Sequence, residues 1–260
     1  MITYEITTSS SILLNDIPLY DETVTQQWKL TIEDVLGAGF LLIIDMVEKP
    51  WTNSAEMQPL YMLLDIVNDA IKKIVVRIDR FGRIIGVANQ KAINKAWEEC
   101  KKRTLISFGE EKFVVRILND ADFNFANVSR AFLQRSVPYF ILISSFADDR
   151  SFTFRPPSFI NNEEEISVKM NQWDKKYGEK GHVRIMEGEG SLGFFSKVGR
   201  KYDNEIKPYA KDDFDFHYRM DTEYLYTSGG LFFDRATATV TEQASRGYLY
   251  RSKTEMIQLK

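Results

Sequence analysis

The sequence runs to 260 residues and 30.2 kDa, 44% hydrophobic and 27% charged, which excludes a disordered, collagenous or membrane-embedded chain. A chain of this mass can bury roughly three-quarters of its unfolded surface, so it needs no metal or disulfide staple, and its single cysteine, Cys100, allows no internal disulfide. The net charge of −3 is unevenly spread: residues 1–56 hold two basic side chains against nine acidic, residues 57–105 ten against five, and the remainder twenty-two against twenty-three.

Residues 1–48 read as strands. Ile2, Tyr4 and Ile6 alternate with polar residues, as do Trp28, Leu30 and Ile32, and a period of two puts each set on one sheet face. Asp16-Ile17-Pro18 and Asp21-Glu22 are expected to mark the loop between the early strands, and Gly37-Ala38-Gly39 a turn before a more fully buried strand, Phe40 to Val47. That apolar run is far too short to span a bilayer.

The period then becomes helical over Leu60, Leu63, Leu64, Val67, Ala70 and Ile71, with Pro59 suited to the first turn. Ile74–Ile78 and Ile84–Ala88 form a hairpin about Phe81-Gly82. Asn89 is the expected N-cap of a helix with apolar stripe Ile93, Ala96, Trp97 and Cys100. A third helix is predicted over Asn119–Ser136, ended by Pro138, while Tyr139–Phe146 reads equally as strand or helix. From Ile166 strands dominate, closing in a C-terminal meander through Phe214–Met220, Tyr224–Tyr226, Ser228-Gly229-Gly230 as a turn, Leu231–Val240 and Tyr248–Leu259. The fold class is α+β: a curved antiparallel sheet with a few helices packed on one face. The chain reads as a single domain, 1–260, with a two-lobed organisation (1–105 and 106–260) as the other partition.

Four groups of residues invite chemistry. Gly188-Glu189-Gly190-Ser191-Leu192-Gly193 spells G-x-G-x-x-G, but a meander follows it and two glutamates crowd it, so a turn with glycines at positive φ is expected rather than a dinucleotide cradle. Asp213, Asp215 and His217 at i, i+2 and i+4 would share a strand face, either as a metal or acid–base group or as a solvated outer row. Cys100 lies on an apolar helix stripe and reads as a buried structural thiol rather than a nucleophile. The basic stretch Lys72–Arg103 reads either as one of two neighbouring elements of opposite charge that attract each other or, with Arg77, Arg80, Arg83, Lys91 and Lys95 as its candidate contacts, as a partner surface. It carries no aromatic interleaving of the nucleic-acid kind.

The segment Ile74–Asn89 with its following Trp97 helix, and the ending Tyr224–Leu259, resemble parts of uncharacterised bacterial β-rich proteins of the LolA-like, lipoprotein-carrier type. The resemblance implies a sheet curved around helices and, by analogy, an apolar ligand; it carries over no functional residue, and the secretion signal usual in that family is not in this sequence.

The expected function is a non-catalytic binding protein with no cofactor and no metal. It takes either an apolar small molecule in a carrier-like fold or a protein partner, as an immunity or secretion-accessory protein would. The alternative is an enzyme using a nucleotide at Gly188–Gly193 or a metal at Asp213/Asp215/His217. The N-terminus, without basic or apolar regions, leads to an expected cytoplasmic location, or a periplasmic one if a leader was removed.

Overall fold

The computed structural model describes residues 1–35, 39–52, 57–147, 150–227 and 230–259; the turns expected at Gly37-Ala38 and Ser228-Gly229 lie outside them. Eleven strands form among these residues: β1 (Ile2–Leu14), β2 (Ile17–Val35), β3 (Gly39–Thr52), β4 (Lys73–Ile78), β5 (Ile84–Val87), β6 (Ser151–Phe154), β7 (Ile166–Tyr177), β8 (Gly181–Leu192), β9 (His217–Tyr226), β10 (Arg235–Ser245) and β11 (Tyr248–Leu259). They hydrogen-bond as one open sheet in the order β5-β4-β3-β2-β1-β11-β10-β9-β8-β7-β6. The helices are α1 (Gln58–Asn68), α2 (Gln90–Phe108), α3 (Lys112–Ala126), α4 (Val137–Ser144), α5 (Val198–Glu205) and α6 (Lys207–Ala210). The α+β class and the C-terminal meander β9-β10-β11 stand as read.

The chain divides into two compact units, residues 1–6, 24–133 and 258–260, and residues 7–23 and 134–257. In the first, the register lines up Leu30, Ile44 and Ile74 across β2, β3 and β4, all buried. Helix α2 buries Ile93, Trp97, Cys100 and Thr104, and α3 buries Val114, Leu118, Ala121 and Phe125. Trp97 stacks on Phe125 with centroids 4.5 Å apart and donates its indole N–H to Asp122 Oδ1 at 2.6 Å. Lys49 on β3 pairs with Asp65 of α1 and with Asp69 on the 3-10 turn that follows it, and Arg103 on α2 reaches the same Asp69, so that one carboxylate ties β3 to α2.

In the second unit, α4 is buried on every side from Tyr139 to Ser144. Its Ser144 hydroxyl meets the Tyr224 hydroxyl of β9 at 2.7 Å, and Arg184 of β8 donates to the carbonyls of Ser145 and Ala147 past the helix end. That contact places a cation just past the C-terminal end of the helix, where the helix dipole favours positive charge.

Several local expectations are corrected. Asp21-Glu22 is not a loop but lies inside β2, where Glu22 is buried and accepts a hydrogen bond from the Tyr20 hydroxyl. Strand β3 is half-buried and alternating, with Leu42, Ile44 and Met46 inward, because it has one covered face. Asn89 flanks α2 without capping it; its Oδ1 accepts from the Val75 amide and its Nδ2 donates to the Lys73 carbonyl, so it pins β4 instead. The third helix begins earlier, at Lys112, ends at Ala126, and is followed by a π-helical turn, Ser129–Leu133. Pro138 does not end a helix but opens α4, at a position where a missing N–H has no helical partner to lose. Phe214 and Phe216 precede β9, and Leu231 and Phe233 precede β10, so the alternation seen there is of irregular chain entering strands.

Candidate functional site

The basic stretch takes its clearest shape at the β4–β5 hairpin. Asp79 Oδ1 accepts the backbone N–H of Phe81 at 2.8 Å and of Arg83 at 2.9 Å, and Gly82, at φ 80°, takes the left-handed conformation the turn requires. The Arg83 amide, then the Phe81 amide and the two neighbouring guanidiniums, hold the Asp79 carboxyl below its ordinary value. The turn so fixed presents Phe81, 43% exposed, between two cations: Arg80 Cζ lies 4.7 Å and Arg83 Cζ 5.5 Å from its ring centroid. A partly exposed ring flanked by guanidiniums is a pre-ordered contact, since the cations already spend part of their freedom on the ring face.

The remaining candidates are exposed but separate. Arg77 points outward from β4 between the buried Val76 and Ile78, and Lys91 and Lys95 stand one turn apart on the solvent side of α2. The structure thus brings Arg80 and Arg83 together through Phe81 and leaves the other three on neighbouring elements.

The other groups resolve differently. Gly188 and Gly190 lie inside β8, not in a turn, and neither has positive φ. A Cβ on Gly188 would stand 2.3 Å from Met170 Sδ, and one on Gly190 would stand 2.6 Å from Ile166 Cγ2 and 2.7 Å from Tyr218 Cδ1. Their smallness admits the side chains of β7 and β9, which is a packing reason for glycine. Asp213 and Asp215 precede β9; Asp213 turns to Lys207 at 2.8 Å while Asp215 meets His217 Nε2 at 3.2 Å, so the three do not converge. Among the described residues no three His, Cys, Asp or Glu gather at metal-holding distance. Cys100 is buried, and burial followed by the Asp69 charge pushes its thiol up, away from nucleophilic chemistry.

One residue the sequence reading passed over is Glu242 on β10, 2% exposed. Its Oε1 accepts the Ser158 hydroxyl at 2.6 Å and its Oε2 the Phe159 N–H at 2.8 Å, while the Ile160 N–H approaches Oε1 at 3.4 Å. Burial pushes this carboxyl up, and those three donors oppose the shift. The clasp holds the 158–160 loop so that Phe159 stacks on Tyr250 of β11, centroids 4.1 Å apart.

No family model and no curated protein matches this chain. Among solved structures, a lipovitellin chain, from a structure described as showing lipid–protein interactions, aligns at 8% identity and TM-score 0.45. That alignment covers 100% of this chain and 25% of the lipovitellin chain, so the present sequence spans a quarter of its length. Among the described residues no helix is long and apolar enough to cross a membrane.

Proposed function

We propose that this protein is a non-catalytic binding protein whose contact surface is the β4–β5 hairpin with the adjoining basic face of α2, and that it takes an acidic protein partner. The observation that carries this is the Arg80–Phe81–Arg83 cluster on its Asp79-braced turn. Arginine and aromatic side chains are the residues that most often dominate binding energy at an interface. Arg77, Lys91 and Lys95, exposed on the flanking elements, add the steering field an acidic partner would follow.

An apolar ligand would need aromatic side chains free to line a cavity, but many of the rings pack on one another. Phe140 packs on Phe152 and Phe154, and Tyr224 and Tyr226 on Phe233. They fill the core of the second unit, and the surface reading is the better supported. β5 is the terminal strand of the sheet order, so the hairpin lies at a sheet edge.

Selection of displayed acidic peptides against the whole chain tests the proposal. Selected peptides are expected to bind the R80E/R83E/K91E variant at least about tenfold more weakly, with a steep salt dependence in the wild type. All three positions are exposed and the turn keeps the Phe81 and Arg83 amides on Asp79, so the variant is expected to fold, which its melting curve checks. Equal affinity for both proteins, or selection of nucleic acid in preference to acidic peptides, overturns it.

A further inference from the structure

The two most exposed phenylalanines of the second unit are neighbours. Phe194 is 96% and Phe195 89% exposed, and their rings meet edge to face with centroids 5.0 Å apart. They stand on a short turn after β8, closed by the Ser196 amide donating to the Gly193 carbonyl at 3.0 Å and by the Ser196 hydroxyl accepting from the Val198 amide at 3.2 Å. The base of this turn is fixed. Val198 and Tyr202 of α5 are fully buried against Ile160, Ala210 and Ala244, and the Tyr202 hydroxyl donates to the Asp212 carbonyl at 3.0 Å. Two large rings are therefore held out in water by an ordered support, where a core-filling role would have turned them inward.

Charge supplies the second observation. Lys197, Arg200 and Lys201 follow the rings along one flank of α5, and among the described residues none of the three makes an ion pair, whereas Lys207 further on is taken up by Asp203 and Asp213. An apolar tip with unpaired cations immediately behind it matches the layering of a lipid interface, rings at the acyl boundary and cations at the phosphates. The acidic run Glu163–Glu165 leads into Ile166, whose backbone pairs with Leu192 two residues before Phe194.

We infer that the Phe194–Phe195 turn is a shallow membrane-docking tip, which rests its two rings in the headgroup–acyl boundary of a phospholipid surface with Lys197, Arg200 and Lys201 on the phosphates. The proposal is independent of the hairpin surface, and it needs no spanning segment. The aromatic rings supply most of the attraction, and the cations add an increment on anionic lipid.

Sedimentation of the full chain with vesicles of pure phosphatidylcholine and of phosphatidylcholine mixed with phosphatidylglycerol tests it. The wild type is expected to partition onto both and more strongly onto the anionic mixture. F194S/F195S is expected to lose at least about tenfold in partition on both, and K197E/R200E/K201E to lose only the anionic increment. Each variant keeps the wild-type melting temperature, and R80E/R83E partitions like the wild type. A wild type that stays in the supernatant with both vesicle types overturns the proposal and leaves the rings to a protein pocket. Equal sedimentation of F194S/F195S and wild type overturns it as well.

Discussion

Replacing Glu242 by alanine is expected to lower the unfolding free energy by about 3 kcal/mol, visible as a drop of several degrees in melting temperature. The change strips the Phe159 amide and the Ser158 hydroxyl of their acceptor in a place water does not freely reach. It also frees the loop that seats Phe159 on Tyr250. Glu242→Gln keeps the shape and one acceptor oxygen, so it is expected to recover most of the loss. Comparison of the three melting curves checks both statements.

The same pair of proteins carries a pH dependence of known sign. The folded-state carboxyl of Glu242 is raised above its ordinary value, chiefly by burial, so the folded protein binds this proton more tightly than the unfolded chain does. Stability from this group is then fullest below the ordinary carboxylate value and is lost as pH rises from there through the raised folded-state value. Glu242→Gln has no such proton. The stability difference between wild type and Glu242→Gln should therefore move against the wild type as pH rises through that window. A difference that is flat with pH would show that the burial of the charge is relieved by its donors.

The second large effect belongs to β8. Gly190→Ala is expected to destabilise by about 2–3 kcal/mol, because its Cβ would stand 2.9 Å from the Cβ of Tyr218, which cannot swing away without moving β9. Gly188→Ala should cost less, about 1–2 kcal/mol, since its nearest neighbour is the flexible end of Met170. Gly193→Ala meets nothing within 4 Å and should change stability by no more than about 0.5 kcal/mol. This graded series, read by denaturant unfolding, separates packing glycines from a phosphate loop. In a loop of that kind the three substitutions would act on nucleotide affinity and leave stability nearly level.

Alternation and helical spacing were enough to place most elements. Ile74–Ile78, Ile84–Val87 and the Trp97 stripe are where the periods put them, because each has one covered face and a sharp change of period at its ends. Glycine and proline misled where they serve packing or initiation. Gly188 and Gly190 read as a turn because nothing in the sequence shows that Met170 and Tyr218 lie over them. Pro138 read as a terminator because a proline after a helical stretch and a proline inside a new first turn look alike locally. Asn89 had the right position for a cap, but the nearby backbone of β4 offered its amide two partners at once.

The hairpin cluster was half legible. The sequence places Arg80 and Arg83 about Phe81, but only the Asp79 side chain folding back on two amides shows that the three are held together. Glu242 was legible in principle. It follows Ala236, Ala238 and Val240 in the same alternating phase, so parity alone turns it inward. What the sequence lacks is the partner, since Ser158 lies 84 residues away.

Native mass spectrometry of the chain recovered from its own cells, alongside R80E/R83E/K91E recovered in the same way, tests the central proposal most directly. Added mass of a whole acidic protein chain is expected on the wild type and is expected to be lost from the variant. Added mass of only a small molecule, or a partner chain retained equally by the variant, would contradict it.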